Sequence, residues 1–209
     1  MPDWLSRFKQ SASSNENEAG LVVYMSAVEF SQLRAILAVN EPKVVLEWGS
    51  GGSTQALLET VPSIERMFSV EHNRQWYEKV RSTIVDERLS LYLCEPGEPE
   101  PHLPRGHQDR VATLQAYALR AEQDPSLFSR YVTLPRSFGV EFDFVLVDGR
   151  ARVFCLREGF ALLRPGGVLV IHDAQRSEYH ATLGELGSPV FLEPWEQGQV
   201  CLLKKPARA

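Results

Sequence analysis

The stretch that decides the fold is Val-Leu-Glu-Trp-Gly-Ser-Gly-Gly-Ser-Thr at residues 45–54. The short apolar run Val44-Val45-Leu46 enters it and reads as a strand. Gly49, Gly51 and Gly52 then permit a tight turn, and Ser53 to Glu59 reads as a helix leaving that turn. Strand, glycine turn and helix make the unit from which a parallel sheet is wound. Bare glycine backbone also lets a ligand lie close, and the helix start offers it free N–H groups.

Outward from this point the alternation continues. Met67-Phe68-Ser69-Val70 is a second strand ending at Glu71, and residues 74–84 form a helix with Trp76, Tyr77 and Val80 on one side. Leu89 to Leu93 and Phe144 to Val147 are further strands, the latter ending at Asp148. A helix over 151–163 is stopped by Arg-Pro-Gly-Gly (164–167), and Val168 to Ile171 then runs into His172-Asp173. Val190 to Leu192 and Val200 to Leu203 close the sheet. Short strands that are apolar on both faces belong to a parallel sheet covered by helices. The expected fold is therefore α/β: a Rossmann-like doubly wound sheet of about seven strands, mostly parallel, the last antiparallel, with helices on both faces.

Upstream, Ser26 and Glu29 have capping-box spacing, and Val28, Leu33, Ile36 and Leu37 give the following helix a buried stripe. Asn40 and Pro42 end it. Residues 1–20 are polar and read as a flexible arm, with Trp4, Leu5 and Phe8 as one apolar edge. Residues 21–209 read as one domain. Within it, 95–137 opens on a proline-rich run and contains one helical stretch, 110–122. It reads as an insertion that serves as a lid or an oligomer contact, which leaves a homodimer open.

Composition excludes several classes. The net charge of −5 provides no general phosphate-neutralising field, so no nucleic-acid partner is expected. No run approaches the length of a membrane span, and the first ten residues lack the apolar core of a secretory signal. Cys94, Cys155 and Cys201 are scattered and odd in number, which fits neither a disulfide framework nor a zinc site. A cytoplasmic location is expected.

The loop at 49–52 suits either of two ligands. A dinucleotide wants a third glycine where this chain has Thr54, and Glu47 would repel a pyrophosphate. The same carboxylate suits a cationic amino-acid moiety, and Glu71 at a strand end suits two vicinal ribose hydroxyls. The segment resembles motif I of the class I S-adenosylmethionine-dependent methyltransferases, an acidic residue followed by x-Gly-x-Gly. Glu71 resembles that family's ribose-binding acid. Phe-Asp-Phe-Val-Leu-Val-Asp-Gly (142–149) and Leu-Leu-Arg-Pro-Gly-Gly-Val-Leu-Val (162–170) resemble its fourth-strand and fifth-strand signatures, in the right order. The plainer reading, a sharp turn beside a solvated strand end, is outweighed by the agreement of four ordered segments. The resemblance implies S-adenosyl-L-methionine as cofactor, with Glu47, Gly49, Ser50, Gly51, Ser53, Thr54, Glu71, His72 and Asp148 around it.

In such a fold the substrate meets the cofactor at the ends of the fourth and fifth strands. Asp148 and His172 are the candidates for general base in methyl transfer to a hydroxyl, although a strand-end histidine also serves as a structural residue. Arg150, Arg152 and Arg176 gather on the same edge. They suit an anionic acceptor, and equally suit ordinary ion pairs. Metal-dependent O-methyltransferases carry an Asp after the fourth strand and Asp-Asn after the fifth. Here Ala174 replaces the Asn, so no metal is expected. The Asn/Asp-Pro-Pro-Tyr motif of amino-methylating enzymes is absent. The resemblance thus implies O-methylation of a small molecule or sugar, by an EC 2.1.1 enzyme. A catalytically silent methyltransferase-like binding protein is the alternative, and an NAD-dependent oxidoreductase is disfavoured by Glu47 and Thr54.

Overall fold

A computed structural model describes residues 20–104 and 106–208. The expected arm, with Trp4, Leu5 and Phe8, lies outside them. Seven strands, β1 (Val44–Trp48), β2 (Arg66–Glu71), β3 (Leu89–Leu93), β4 (Phe142–Val147), β5 (Leu163–Ile171), β6 (Val190–Phe191) and β7 (Cys201–Lys204), form one sheet in the order β3-β2-β1-β4-β5-β7-β6. The first five are mutually parallel, and β7 is antiparallel to both β5 and β6. The order reverses between β1 and β4, which opens a crevice at their carboxyl ends.

Helices connect and cover the strands: α1 (Ala27–Asn40), α2 (Gly52–Thr60), α3 (Arg74–Thr83), α4 (Arg110–Gln123), α5 (Ser129–Thr133), α6 (Arg152–Leu162) and α7 (His180–Leu186). Strand alternation sends neighbouring residues to opposite faces. Leu46 and Trp48 of β1 join Phe128, Tyr131, Cys155 and Leu156 on one face. Val45 joins Leu33, Leu37, Leu57 and Phe144 on the other. Glu47 therefore lies on the α1–α2 face, directly under the start of α2. Among the described residues, no helix is long and apolar enough to cross a membrane.

The Ser26–Glu29 capping box is formed in both directions. One expectation needs correction. Arg-Pro-Gly-Gly (164–167) does not separate helix from strand. It lies inside β5, where the register shifts between the Phe142↔Leu163 and Phe144↔Val168 pairs, with Gly166 at φ +81°. Segment 95–137, read as an insertion, lies between β3 and β4. It is the β3–β4 crossover, and its second half supplies Tyr117, Ala121, Leu127, Phe128, Tyr131 and Val132 to the core. Only its proline-rich first half is irregular.

Candidate active site

The glycine loop leaves β1 with Gly49 at φ +98°, a conformation that disfavours any side chain. A Cβ there would also come within 2.8 Å of the backbone of Asp148 and Gly149. The ends of β1 and β4 thus touch through bare backbone. At Gly52 the obstacle is the Val22–Val23 backbone, which crosses over the loop. Leu21 N–H donates to Gln55 Oε1 at 3.3 Å and holds that crossing strand of chain in place.

Beneath the loop, Glu47 is fully buried and accepts three hydroxyls: Ser53 at 3.0 Å, Thr54 at 2.6 Å and Ser69 at 2.7 Å. Thr54 Oγ1 in turn accepts the Gly51 N–H at 2.8 Å. Burial pushes the Glu47 carboxyl up to about 7, against the pull of these hydroxyls. Glu47, Ser53 and Thr54, expected around the cofactor, thus form one hydrogen-bonded group beneath the loop and shape it.

Glu71 ends β2 at the rim of this loop and is 2% exposed. Its Oε1 accepts the N–H groups of His72 at 2.9 Å and Asn73 at 2.7 Å, and its Oε2 accepts the Ser50 hydroxyl at 3.3 Å. The carboxylate is thereby aimed at the loop. His72 Nδ1 lies 3.1 Å from Glu71 Oε1, out of line for a hydrogen bond, and is buried without a partner. The Tyr131 hydroxyl and Arg150 Nε share that condition. Tyr131 stands so close to Gly149 that a Cβ at Gly149 would overlap its hydroxyl. Buried polar atoms that the protein leaves without a well-formed hydrogen bond fit a polar ligand.

At the other end of the crevice, charges alternate. Asp148 Oδ1 takes His172 Nδ1 at 3.2 Å and Arg152 Nη2 at 3.2 Å. Arg152 Nη1 reaches Asp173 Oδ2 at 3.1 Å and the His172 carbonyl at 2.5 Å. Arg176 Nη2 donates to Asp173 Oδ2 at 2.6 Å. His172 Nε2 faces Glu29 Oε2 at 3.3 Å. Ala151 and Asp173, which follow β4 and β5, both take positive φ (53° and 63°), so two strained residues flank this cluster.

Burial works against a charge on His172, but the carboxylates of Asp148, Glu29 and Asp173 outweigh it and raise its pKa to about 9. His172 is 4% exposed and holds its proton at neutral pH. That arrangement departs from a general base, which needs an open lone pair. Arg152 departs from its expected role too. It is 6% exposed and donates to Gly149 O, His172 O, Asp148 and Asp173, so it braces the two strand ends. Its guanidinium occupies the space between the two carboxylates. Among the described residues, no group of three or more His, Cys, Asp or Glu side chains is arranged to hold a metal ion. Arg150 is bound to the crossover, its Nη2 donating to Glu100 Oε1 at 2.9 Å.

The sequence reading missed Glu29, Tyr131 and Trp76 as members of this region. Glu29 carried a signal, its capping-box spacing, but that spacing accounts only for Ser26. Trp76 Nε1 donates to Ser50 O at 2.6 Å and its indole packs against Gly51.

No protein-family model and no curated protein matches this chain. Solved structures do. A methyltransferase-like protein from Silicibacter pomeroyi is 23% identical with a TM-score of 0.61, over 92% of this chain and 93% of that one. An O-methyltransferase from Bacillus cereus, in complex with SAH, is 15% identical with a TM-score of 0.58, over 98% and 92%. The cofactor-bound Rv0187 from MTB is 19% identical with a TM-score of 0.58, over 99% and 91%. At these identities the likeness is one of fold.

Proposed function

We propose that this chain, which has the fold of the class I S-adenosylmethionine-dependent methyltransferases, transfers a methyl group from that cofactor to an oxygen of a small molecule or sugar. The observation that carries the reading is the pairing of a bare glycine loop with the buried Glu71 carboxylate at the point where the sheet order reverses. When bound, S-adenosylmethionine supplies an electrophilic methyl group on a sulfonium. Glu71 accepts the ribose hydroxyls in place of Ser50. Gly49 and Gly51 offer backbone against which the amino-acid portion lies, and His72 Nδ1 and the Tyr131 hydroxyl supply unspent polar contacts.

Asp148 is the residue assigned to the acceptor. Its Oδ1 is tied to His172 and Arg152, while no partner within the described residues takes Oδ2. That oxygen accepts the acceptor's hydroxyl proton and aligns the attacking oxygen. His172 acts behind Asp148 and not on the substrate. Arg150, freed from Glu100 by an anionic acceptor, binds that group. No divalent ion is needed, because Arg152 already places a cation between Asp148 and Asp173. A silent cofactor-binding protein is the second reading, favoured by the occupation of both His172 nitrogens.

Calorimetry with S-adenosylhomocysteine tests the first step: heat is expected with it and none with NAD. Glu71→Ala should weaken binding by about 1.5–3 kcal/mol, roughly 10- to 150-fold. Unchanged affinity removes the ribose assignment. Transfer of a labelled methyl group to a panel of hydroxyl acceptors separates enzyme from silent binder, and turnover should survive EDTA.

A further inference from the structure

Glu29 is a carboxylate ringed by protein donors from three parts of the chain. It is fully buried. Its Oε1 accepts three consecutive N–H groups from the loop before β7: Glu196 at 2.8 Å, Gln197 at 2.6 Å and Gly198 at 3.0 Å. Its Oε2 accepts Ser26 N–H at 2.8 Å and faces His172 Nε2 at 3.3 Å. A helix cap needs only the Ser26 contact. The loop is pressed onto the same corner, since a Cβ at Gly198 would stand 2.7 Å from His172 Nε2 and 2.5 Å from Asp173 Oδ1. Both loop and helix thus converge on the far side of the imidazole whose near side holds Asp148.

The proton inventory follows from this geometry. Both ring nitrogens of His172 face carboxylate oxygens, and both contacts are hydrogen bonds only if both nitrogens carry hydrogen. The groups facing His172 are Asp148 from the end of β4, Glu29 from α1, Asp173 from its own strand end, and Arg152 from α6 at its carbonyl. Four backbone N–H groups keep Glu29 ionised, so it holds the second proton on His172. His172 then presents a cationic donor to Asp148 Oδ1, which fixes that carboxylate's rotation and leaves Oδ2 turned to the crevice.

We infer that Glu29, at the N-terminal helix, is a positioning residue that sets the protonation of His172 and through it the orientation of Asp148 at the acceptor edge. The inference rests on the functional reading above only for its effect on turnover.

The test is an NMR titration of the His172 imidazole in the full chain, wild type against Glu29→Gln. The wild-type midpoint is expected near 9, and the variant midpoint should fall toward the ordinary 6.5. Ser26→Ala, which loosens the helix cap but keeps the Glu29 carboxylate and the Ser26 N–H, should leave the midpoint in place. In turnover, Glu29→Gln should lower kcat and move the alkaline limb of its pH profile in the same direction as the His172 midpoint, with the Michaelis constant for the cofactor unchanged. An unmoved His172 midpoint in a Glu29→Gln protein that still binds S-adenosylhomocysteine overturns the inference. So does a wild-type midpoint near 6.5, which needs no variant to fold. Failure of the functional reading shows elsewhere, as no heat with S-adenosylhomocysteine.

Discussion

The two ends of the crevice are held by opposite means. Under the glycine loop, one buried carboxyl is surrounded by the hydroxyls of Ser53, Thr54 and Ser69, with no cation among its hydrogen-bond partners. At the ends of β4 and β5, carboxylates and cations alternate from Glu29 through His172, Asp148, Arg152 and Asp173 to Arg176. The first device is local: its residues lie within 22 positions of one another. The second ties α1 to the loop before β7, up to 169 positions apart. A loop that must keep one shape is set by short-range hydroxyls, whereas an edge gathered from distant elements needs charge to bring them together.

Breaking the charged end should have the largest effect. Arg152→Ala removes a buried cation from between the half-buried Asp148 and Asp173, leaves them only His172 and Arg176 as cationic partners, and strips the braces on the Gly149 and His172 carbonyls, so it should cost about 3–5 kcal/mol in denaturant unfolding. A loss below about 1 kcal/mol would mean the chain of charges is solvated and the contrast with the loop is false.

The next largest effect is a pH dependence that sorts the two ends. His172 has a folded pKa near 9, above its ordinary 6.5, so its contribution is fully present below pH 6.5 and is lost as pH rises to 9. That loss is at most about 3 kcal/mol. For Glu29, burial alone would raise the pKa. Hydrogen bonds from His172, Ser26, Gly198 and Glu196 reverse this and hold it well below the ordinary 4.5. Its contribution is present above pH 4.5 and is lost in acid. Glu47, raised from 4.5 to about 7, favours the folded state below pH 4.5 and loses that contribution by pH 7. Unfolding free energy measured from pH 4 to 10 should therefore fall in two windows. His172→Gln should flatten only the upper one.

Gly49→Ala attacks the contact between the two ends. The backbone conformation alone costs about 1–3 kcal/mol, and the overlap with Asp148 forces β1 and β4 apart. Both the melting temperature and S-adenosylhomocysteine affinity should drop. Retained affinity would separate the loop from the β4 end. The smallest effect belongs to Glu47→Gln. A neutral amide replaces a carboxyl that is costly to ionise, so the variant should equal or exceed wild type at pH 8, by about 1 kcal/mol. A marked loss would show that the loop depends on charge after all.

Much of this was legible in the sequence, and the reasons for what was not are physical. The sheet, the loop and Glu71 could be read because each depends on residues close in the chain: apolar runs, glycines, a strand-end acid. The closeness of Glu47 to Gly49 was visible in the sequence, whereas its three hydroxyl partners were not. Alternation along β1 places it with Val45 under α2, and the apolar strand that contains Ser69 carried a faint sign of its partner. Segment 95–137 looked foreign because its prolines stand at the front. Phe128 and Tyr131, which put it in the core, follow later without a regular period. Glu29 was beyond reach, since nothing local links it to Glu196, Gln197, Gly198 or His172.

Trp76 has a practical consequence. Its indole N–H is bonded to the Ser50 carbonyl, its ring lies against Gly51 and 6.0 Å from Tyr24, and the Lys79 ammonium sits 5.2 Å from its centre. Trp48, by contrast, is sealed in the core with its N–H on the Tyr131 carbonyl. Of the four tryptophans of the chain, Trp76 is thus the one whose indole N–H is bonded to the glycine loop, whereas the Trp48 ring is turned into the core. Any movement of Ser50 or Gly51 alters the hydrogen bond and the local field of Trp76 alone. Emission from a variant with Trp4, Trp48 and Trp195 replaced by phenylalanine would report the state of the loop in real time, with no label attached to the chain.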